Sequence, residues 1–222
     1  MTIKILQGIA ARRSYRAFEP SPIPKEILQR ILEVAVRSPS YTNTQPWEVV
    51  VVSGSKKDEL SKILYKMAGM DVPTNPDIPT PKSWPPELER RAREHGARRF
   101  SFLGIERETE QQRKGLRLSN FEFYGAPCVF FLFMERALTS WSIFDMGLFA
   151  QSIILAAHSL GLGSCLQGSI AGYPDAVREF LGISNTKLLV LGISIGYPDL
   201  KAPINTYQSS RATLKDLVNW YE

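Results

Sequence analysis

The sequence predicts an α+β fold formed as one domain over residues 1–222. Helical patterns outnumber strand patterns, the two are interleaved, and no phosphate-loop or dinucleotide fingerprint marks a parallel-sheet unit. Three apolar runs read as buried strands: Trp47–Val52, broken only by Glu48, Pro127–Met134 and Leu188–Ile195. The glycine pair Gly161-Leu162-Gly163 follows a helical pattern instead of a strand, which argues against a Rossmann unit. With 44% hydrophobic and 22% charged residues, the 222-residue chain has the composition of a globular protein with one substantial core.

In chain order, Ile3–Arg12 is predicted as a helix with Ile5, Leu6 and Ile9 on one face. Pro24–Arg37 follows. Pro24 takes the first helical position, Ile27, Leu28, Ile31, Leu32 and Ala35 recur at helical spacing, and Pro39 stops the helix. After the first strand, Ser53-Gly54-Ser55 reads as a turn and cap, and Lys56–Met70 as a helix. Residues 71–86 hold six prolines and Trp84, a density compatible only with an extended loop. Glu87–Arg117, mixed in charge, reads as one or two solvated outer helices broken near Gly96 or Gly104. Ile143–Leu160 reads as a buried core helix despite Asp145, Gln151 and His158, with residues 161–168 as its cap and a tight turn. Pro174–Leu181 is a short helix stopped by Gly182. The tail reads as irregular over Pro203–Ser210, then helical over Thr213–Tyr221.

The net charge of +5 suits an anionic ligand. No aromatic-and-basic stripe of a nucleic-acid module accompanies it, so no nucleic-acid partner is expected. No run of ~18 or more apolar residues and no secretory leader pattern appear, which predicts no membrane partner and a cytoplasmic location. Cys128 and Cys165 sit among apolar or small residues and read as reduced packing thiols. His95 and His158 lack partners at ligand spacing, so no metal is expected, and no nucleophile elbow is present.

Four segments carry chemistry. Arg12, Arg13 and Arg16 bracket Ser14 at the end of the first helix. This is either a basic helix terminus complementing the macrodipole or a grip for a phosphate, whose oxygens match the guanidinium fork. Ser40, Thr42, Asn43, Thr44 and Gln45 crowd donors and acceptors just before a buried strand, as turn formers or as ligands for a polar chain. Three glycines in residues 161–168 allow close backbone approach to a flat ligand. Arg211, beside Ser209 and Ser210, either caps the last helix or joins the phosphate grip.

The motifs Arg12-Arg13-Ser14-Tyr15-Arg16-Ala17-Phe18 and Pro39-Ser40-Tyr41-Thr42-Asn43-Thr44-Gln45-Pro46-Trp47, in this order with Gly161–Cys165 and Arg211, resemble the FMN-dependent nitroreductase family over nearly the whole chain outside residues 71–118. The resemblance implies a three-layer α/β/α sandwich around a mainly antiparallel sheet, and an obligate homodimer with FMN at the interface. It implies that Arg12 and Ser14 hold the phosphate, with Arg13 close by and Arg211 returning from the tail. Arg16 would reach the ribityl chain or the pyrimidine edge, where a fixed cation favours reduced flavin. Pro39, Ser40, Tyr41 and Asn43 would approach from the other subunit, and Gln45 would support the ribityl chain or ring edge. Backbone N–H groups of Cys165, Leu166, Gln167 and Gly168 would face N5 and O4.

The implied activity is ping-pong transfer from NADH or NADPH through flavin to nitroarene or quinone-like acceptors. Flavin carries the chemistry, so no catalytic side chain is required. Ser209 departs from the family pattern, standing where many members carry Lys or Arg, and Arg13 is placed to compensate. Residues 71–118, with Trp84, are expected to cover the substrate side. Other readings are a relative with different flavin chemistry (dehalogenation or flavin fragmentation), a flavin binder without turnover, and a basic surface over Arg90–Arg99 for an acidic partner.

Overall fold

The computed structural model describes residues 5–106 and 109–222. Strands β1 (Glu48–Ser53), β2 (Cys128–Glu135), β3 (Gly163–Gln167) and β4 (Lys187–Gly196) pair antiparallel in the order β1-β2-β4-β3. β2 is buried from Cys128 to Met134, which is why it reads as an unbroken apolar run. Its alternate residues feed two cores. Phe131 and Phe133 pack with Leu60, Leu64 and Phe123 on one face. Phe130, Leu132 and Met134 pack with Ile31, Phe149 and Ile153 on the other.

Helices α3 (Gly54–Gly69), α5 (Glu110–Leu118) and α7 (Pro174–Leu181) lie on the first face, and α2 (Lys25–Ala35) and α6 (Ser140–Ser159) on the second. The result is the three-layer sandwich. α1 (Ile5–Ala11) rests on α6, and α4 (Pro86–Phe102) buries no residue. Among the described residues, α6 alone is long and apolar enough to cross a membrane by length and composition. Here it packs against α2 and the sheet, with Phe149 stacked on Trp47 at 4.6 Å between centroids.

Four local expectations are corrected. Residues 163–167, read as part of a cap and turn, form strand β3; Gly161 (φ 79°) alone is the left-handed cap. A Cβ on Gly163 would sit 2.8 Å from the Tyr15 ring, so this glycine serves close packing, not a turn. Pro24 (ψ 139°) precedes α2 instead of opening it. Of the two break points expected in the charged helices, the structure takes Gly104 (φ 65°), which agrees with that expectation, and α4 continues through Gly96. In the tail, Pro203–Thr206 forms a short helix, α8, where irregular chain was expected. The predicted helix Thr213–Tyr221 is only a 3₁₀ turn over Leu214–Asp216. Its apolar residues Leu214, Leu217, Trp220 and Tyr221 are exposed, so no packing sustains a longer helix.

The proline-rich segment is extended, and it is anchored. The Asp77 carboxylate accepts from Arg178 (2.5 Å), Arg136 (2.8 Å) and the Leu189 N–H (2.8 Å), pinning the loop to α7 and the start of β4.

Candidate functional site

After α1 the chain runs along the free edge of the sheet beside β3. Tyr15 N–H donates to the Ser164 carbonyl at 3.0 Å, and Glu19 N–H to the Tyr197 carbonyl at 2.9 Å. Tyr15 and Phe18 are buried, and the extended backbone sends Ser14 and Arg16 the opposite way from Tyr15. Asn205 of α8, itself buried, stitches the tail to this segment. Its Oδ1 accepts the Arg16 N–H at 2.7 Å, and its Nδ2 donates to the Ala17 and Asp199 carbonyls at 2.8 Å each.

Arg12, Arg13, Ser14, Arg16 and Arg211 thereby line one cavity of about 740 Å³, together with His95 of α4, Gln151 of α6 and Tyr207 to Ser209 of the tail. Arg211 donates to the Ser209 hydroxyl at 2.6 Å, so the serine at the departing position orients the tail arginine. Arg13 is turned partly toward the tail, donating to the Asn205 carbonyl at 3.4 Å.

The charge balance of this cavity is one-sided. Arg90, Arg91 and Arg98 pair with Glu87 and Glu94 along α4. Three of the five arginines of the Arg90–Arg99 surface are therefore ion-paired, which weakens its reading as a free basic patch. Arg12, Arg13, Arg16 and Arg211 of this cavity, and Arg99 of α4 outside its lining, have no carboxylate partner among the described residues, and the Nε atoms of Arg12 and Arg99 are buried without a hydrogen-bond partner there. Burial lowers the Arg12 pKa and the Arg211 charge lowers it further. His95 is lowered by burial, then by Arg99, Arg16, Arg211 and Arg98. Cations held together without acids are built for an anion. Cys165 is buried, and burial holds its thiol above the usual value against the pull of Arg16, Arg99 and Arg12, so it packs rather than attacks.

Along β3, Cys165 and Gln167 point into the protein while Leu166 is exposed, as is Gly168 beyond the strand. The Gln167 side chain is used internally, donating to the Asn120 carbonyl at 2.8 Å and accepting from the Ser194 hydroxyl.

Residues 39–45 stand apart, and none of them lines the arginine cavity. Pro39 and Tyr41 to Gln45 are exposed. The loop is held by the buried Asp145 of α6, whose two oxygens each accept the Tyr41 N–H at 3.1 Å, and by the Ser40 hydroxyl accepting the Gln45 N–H at 2.9 Å. Thr42, Asn43 and Gln45 all adopt positive φ (48°, 58° and 50°), strain that the anchors maintain.

Sequence reasoning missed His95, Arg99, Gln151, Asn205 and Tyr207. For Arg99 a signal existed: each neighbouring arginine of the ion-pair ladder has a glutamate three or four residues away, and Arg99 has none. Trp84 is half exposed and lines neither this cavity nor the smaller one beside Arg16, so among the described residues it is α4 that covers the site.

The profile of the Nitroreductase family matches residues 9–197. Nitroreductase NfnB of Mycolicibacterium smegmatis is 37% identical over 209 residues, 94% of this chain and 88% of that protein. A 4-nitrobenzoate reductase of Pseudomonas putida is 32% identical over 203 residues, 91% of this chain and 89% of that protein. The crystal structure of the FMN-dependent nitroreductase NfnB from Mycobacterium smegmatis in complex with NADPH superposes with a TM-score of 0.93 at 34% identity, covering 98% of this chain and 97% of that one.

Proposed function

The chain belongs to the nitroreductase family, and we propose that it holds FMN and passes reducing equivalents from NAD(P)H to nitroaromatic acceptors. The observation that carries this reading is the cavity of about 740 Å³ whose arginines lack any acid among the described residues. Its donor set fits the cofactor: guanidiniums and a hydroxyl for a dianionic phosphate, then polar groups for a sugar-like chain.

Arg12 and Arg211 grip the phosphate, with the Ser14 hydroxyl as a further donor and Arg13 as a nearby cation. The buried Arg12 Nε gains the partner it lacks. Arg16, fixed through its backbone by Asn205, sets a cation beside the pyrimidine edge. Backbone N–H groups from Cys165 to Gly168, which lie outside the lining of the arginine cavity, would meet the reactive edge of the flavin. When bound, FMN supplies hydride transfer in both directions, from a reduced nicotinamide and to an acceptor. The chain contributes position, electrostatic field and the exclusion of water.

Pro39, Ser40, Tyr41, Asn43 and Gln45 reach the flavin of a second copy. Their separation from the arginine cavity supports this, as does the exposed apolar surface of Ile5, Leu6, Tyr41, Trp141 and Phe144 around α1 and α6. The free buried thiols Cys128 and Cys165 suit a reducing, cytoplasmic location.

The test is the visible spectrum of the purified protein before and after anaerobic NADPH or NADH. Flavin bands that bleach and return on adding a nitroarene support the assignment. Bands that persist with both reductants favour a binder without turnover. A protein that takes up no FMN has another function.

A further inference from the structure

Arg16 also lines a second, smaller cavity of about 190 Å³, whose other walls include Arg99 and Phe100 of α4, Leu116 of α5, Tyr124 and Ile204. A cavity of roughly 150 Å³ holds one benzene ring, so this space of about 190 Å³ suits a single substituted ring. Phe100, Leu116 and Ile204 give it apolar walls, as small-molecule sites usually have.

Four arginines line it: Arg16, Arg99, Arg113, which lies over Phe100 at 5.3 Å, and Arg117; Arg99 is the informative one. Arg117, also on this cavity, is occupied by Asp71 at 2.8 Å. Arg99 is half-buried, lies against Phe100 at 5.6 Å from the ring centroid, and has no carboxylate partner among the described residues. Its Nε is buried without a hydrogen-bond partner there. Burial and then the charge of Arg16 lower its pKa, the direction expected of a cation crowded by another and lacking an acid. A guanidinium with unused donors beside an apolar slot matches a carboxylate fixed to a flat ring.

We propose that this cavity is the acceptor subsite and that Arg99 recognises a carboxylate carried on the acceptor's single aromatic ring. The inference rests on the flavin reading of the adjoining cavity and deepens it by naming the acceptor class: aryl acids in preference to neutral nitroarenes. Arg16, shared by both cavities, sets the ring next to the flavin.

The experiment compares benzoate with its neutral isostere benzamide. Binding to the FMN-loaded protein is followed by calorimetry and by perturbation of the flavin absorbance. A charge-assisted bond to the half-buried arginine predicts at least ~10-fold tighter binding of benzoate. Arg99→Gln removes the preference, Arg99→Lys keeps part of it, and Arg93→Gln on the exposed face of α4 leaves it intact. The ratio of kcat/KM for 4-nitrobenzoate over 4-nitrobenzamide follows the same order.

Equal affinities in the unmodified protein, or a preference that survives Arg99→Gln, overturn the proposal. So does an Arg99→Gln protein that discriminates less against NADH relative to NADPH yet still prefers benzoate, because the cavity then serves the reductant's phosphate. A protein that takes up no FMN but prefers benzoate by calorimetry refutes the flavin reading and supports Arg99 as a carboxylate site.

Discussion

At the residue scale, two positions on either side of the sheet edge do different work. Arg12 is half-buried, beside Arg211, with an unsatisfied Nε, the environment that led us to propose it as a phosphate ligand. Arg12→Gln is expected to weaken FMN binding by at least ~10-fold, the effect of losing a charge-assisted contact. A fluorescence titration with FMN measures this, and an unchanged Kd would remove Arg12 from the phosphate grip. Gly163 works through space it leaves empty. An added Cβ would meet the Tyr15 ring at 2.8 Å and Pro198 at 3.1 Å. Gly163→Ala should therefore push the Arg12–Phe18 segment off β3 and cost about 1–3 kcal/mol, the range for overpacking a tight site. Urea unfolding reads the cost, and a midpoint equal to that of the unmodified protein would show that the segment shifts freely.

At the scale of elements, the proline-rich segment is a strap instead of a free lid. Asp77 and Arg178 have side chains only 5% and 4% exposed, and the aspartate also receives Arg136 and the Leu189 N–H. Removing one partner of such a buried pair costs about 3–5 kcal/mol, so Asp77→Asn should lower the melting temperature clearly and free residues 71–77 to proteolysis. The same clamp gives a pH dependence. Burial pushes the Asp77 carboxyl up, but the bonds from Arg178, Leu189 N–H and Arg136 outweigh it and hold the group below the usual carboxylate value. The unfolded chain therefore binds a proton first. The stabilisation is complete above the ordinary Asp pKa near ~4 and is lost as pH falls through the depressed folded value. Stability of the Asp77→Asn protein should lack this part of the acid-side decline. Identical pH profiles for the two proteins would count against the clamp.

At the scale of the whole molecule, α6 touches both the 39–45 loop and the arginine cavity. Its buried Asp145 holds the strained 39–45 loop, while Gln151 lines the arginine cavity. Trp141 and Phe144 near its start remain about 60% exposed, with Trp141 stacked on Tyr41 at 5.5 Å. An aromatic surface of this kind beside an exposed polar loop is the pattern of a surface that meets a partner. On the proposed arrangement, in which loop 39–45 serves the flavin of a second copy, Trp141→Glu is expected to yield a monomer in analytical ultracentrifugation and to lose FMN. A variant that remains dimeric and fully flavinated would place the interface elsewhere.

The sequence by itself determined α2, α3, α6 and α7, the strands β1, β2 and β4, and the chemistry of the arginine motif. Each of these rests on a local signal: a helical period, an apolar run, or cations crowded within a few residues. Only the tertiary structure decided that residues 163–167 are an edge strand, since small residues and glycine carry no strand signature. It alone brought Arg211 to Arg12, set Arg16 on two cavities, and turned Arg99 inward from a helix that reads as solvated. It also kept residues 39–45 away from the cavity of their own chain. Those facts depend on contacts between segments distant in sequence, where cross-sheet packing and the buried Asn205 fix positions that no local pattern encodes.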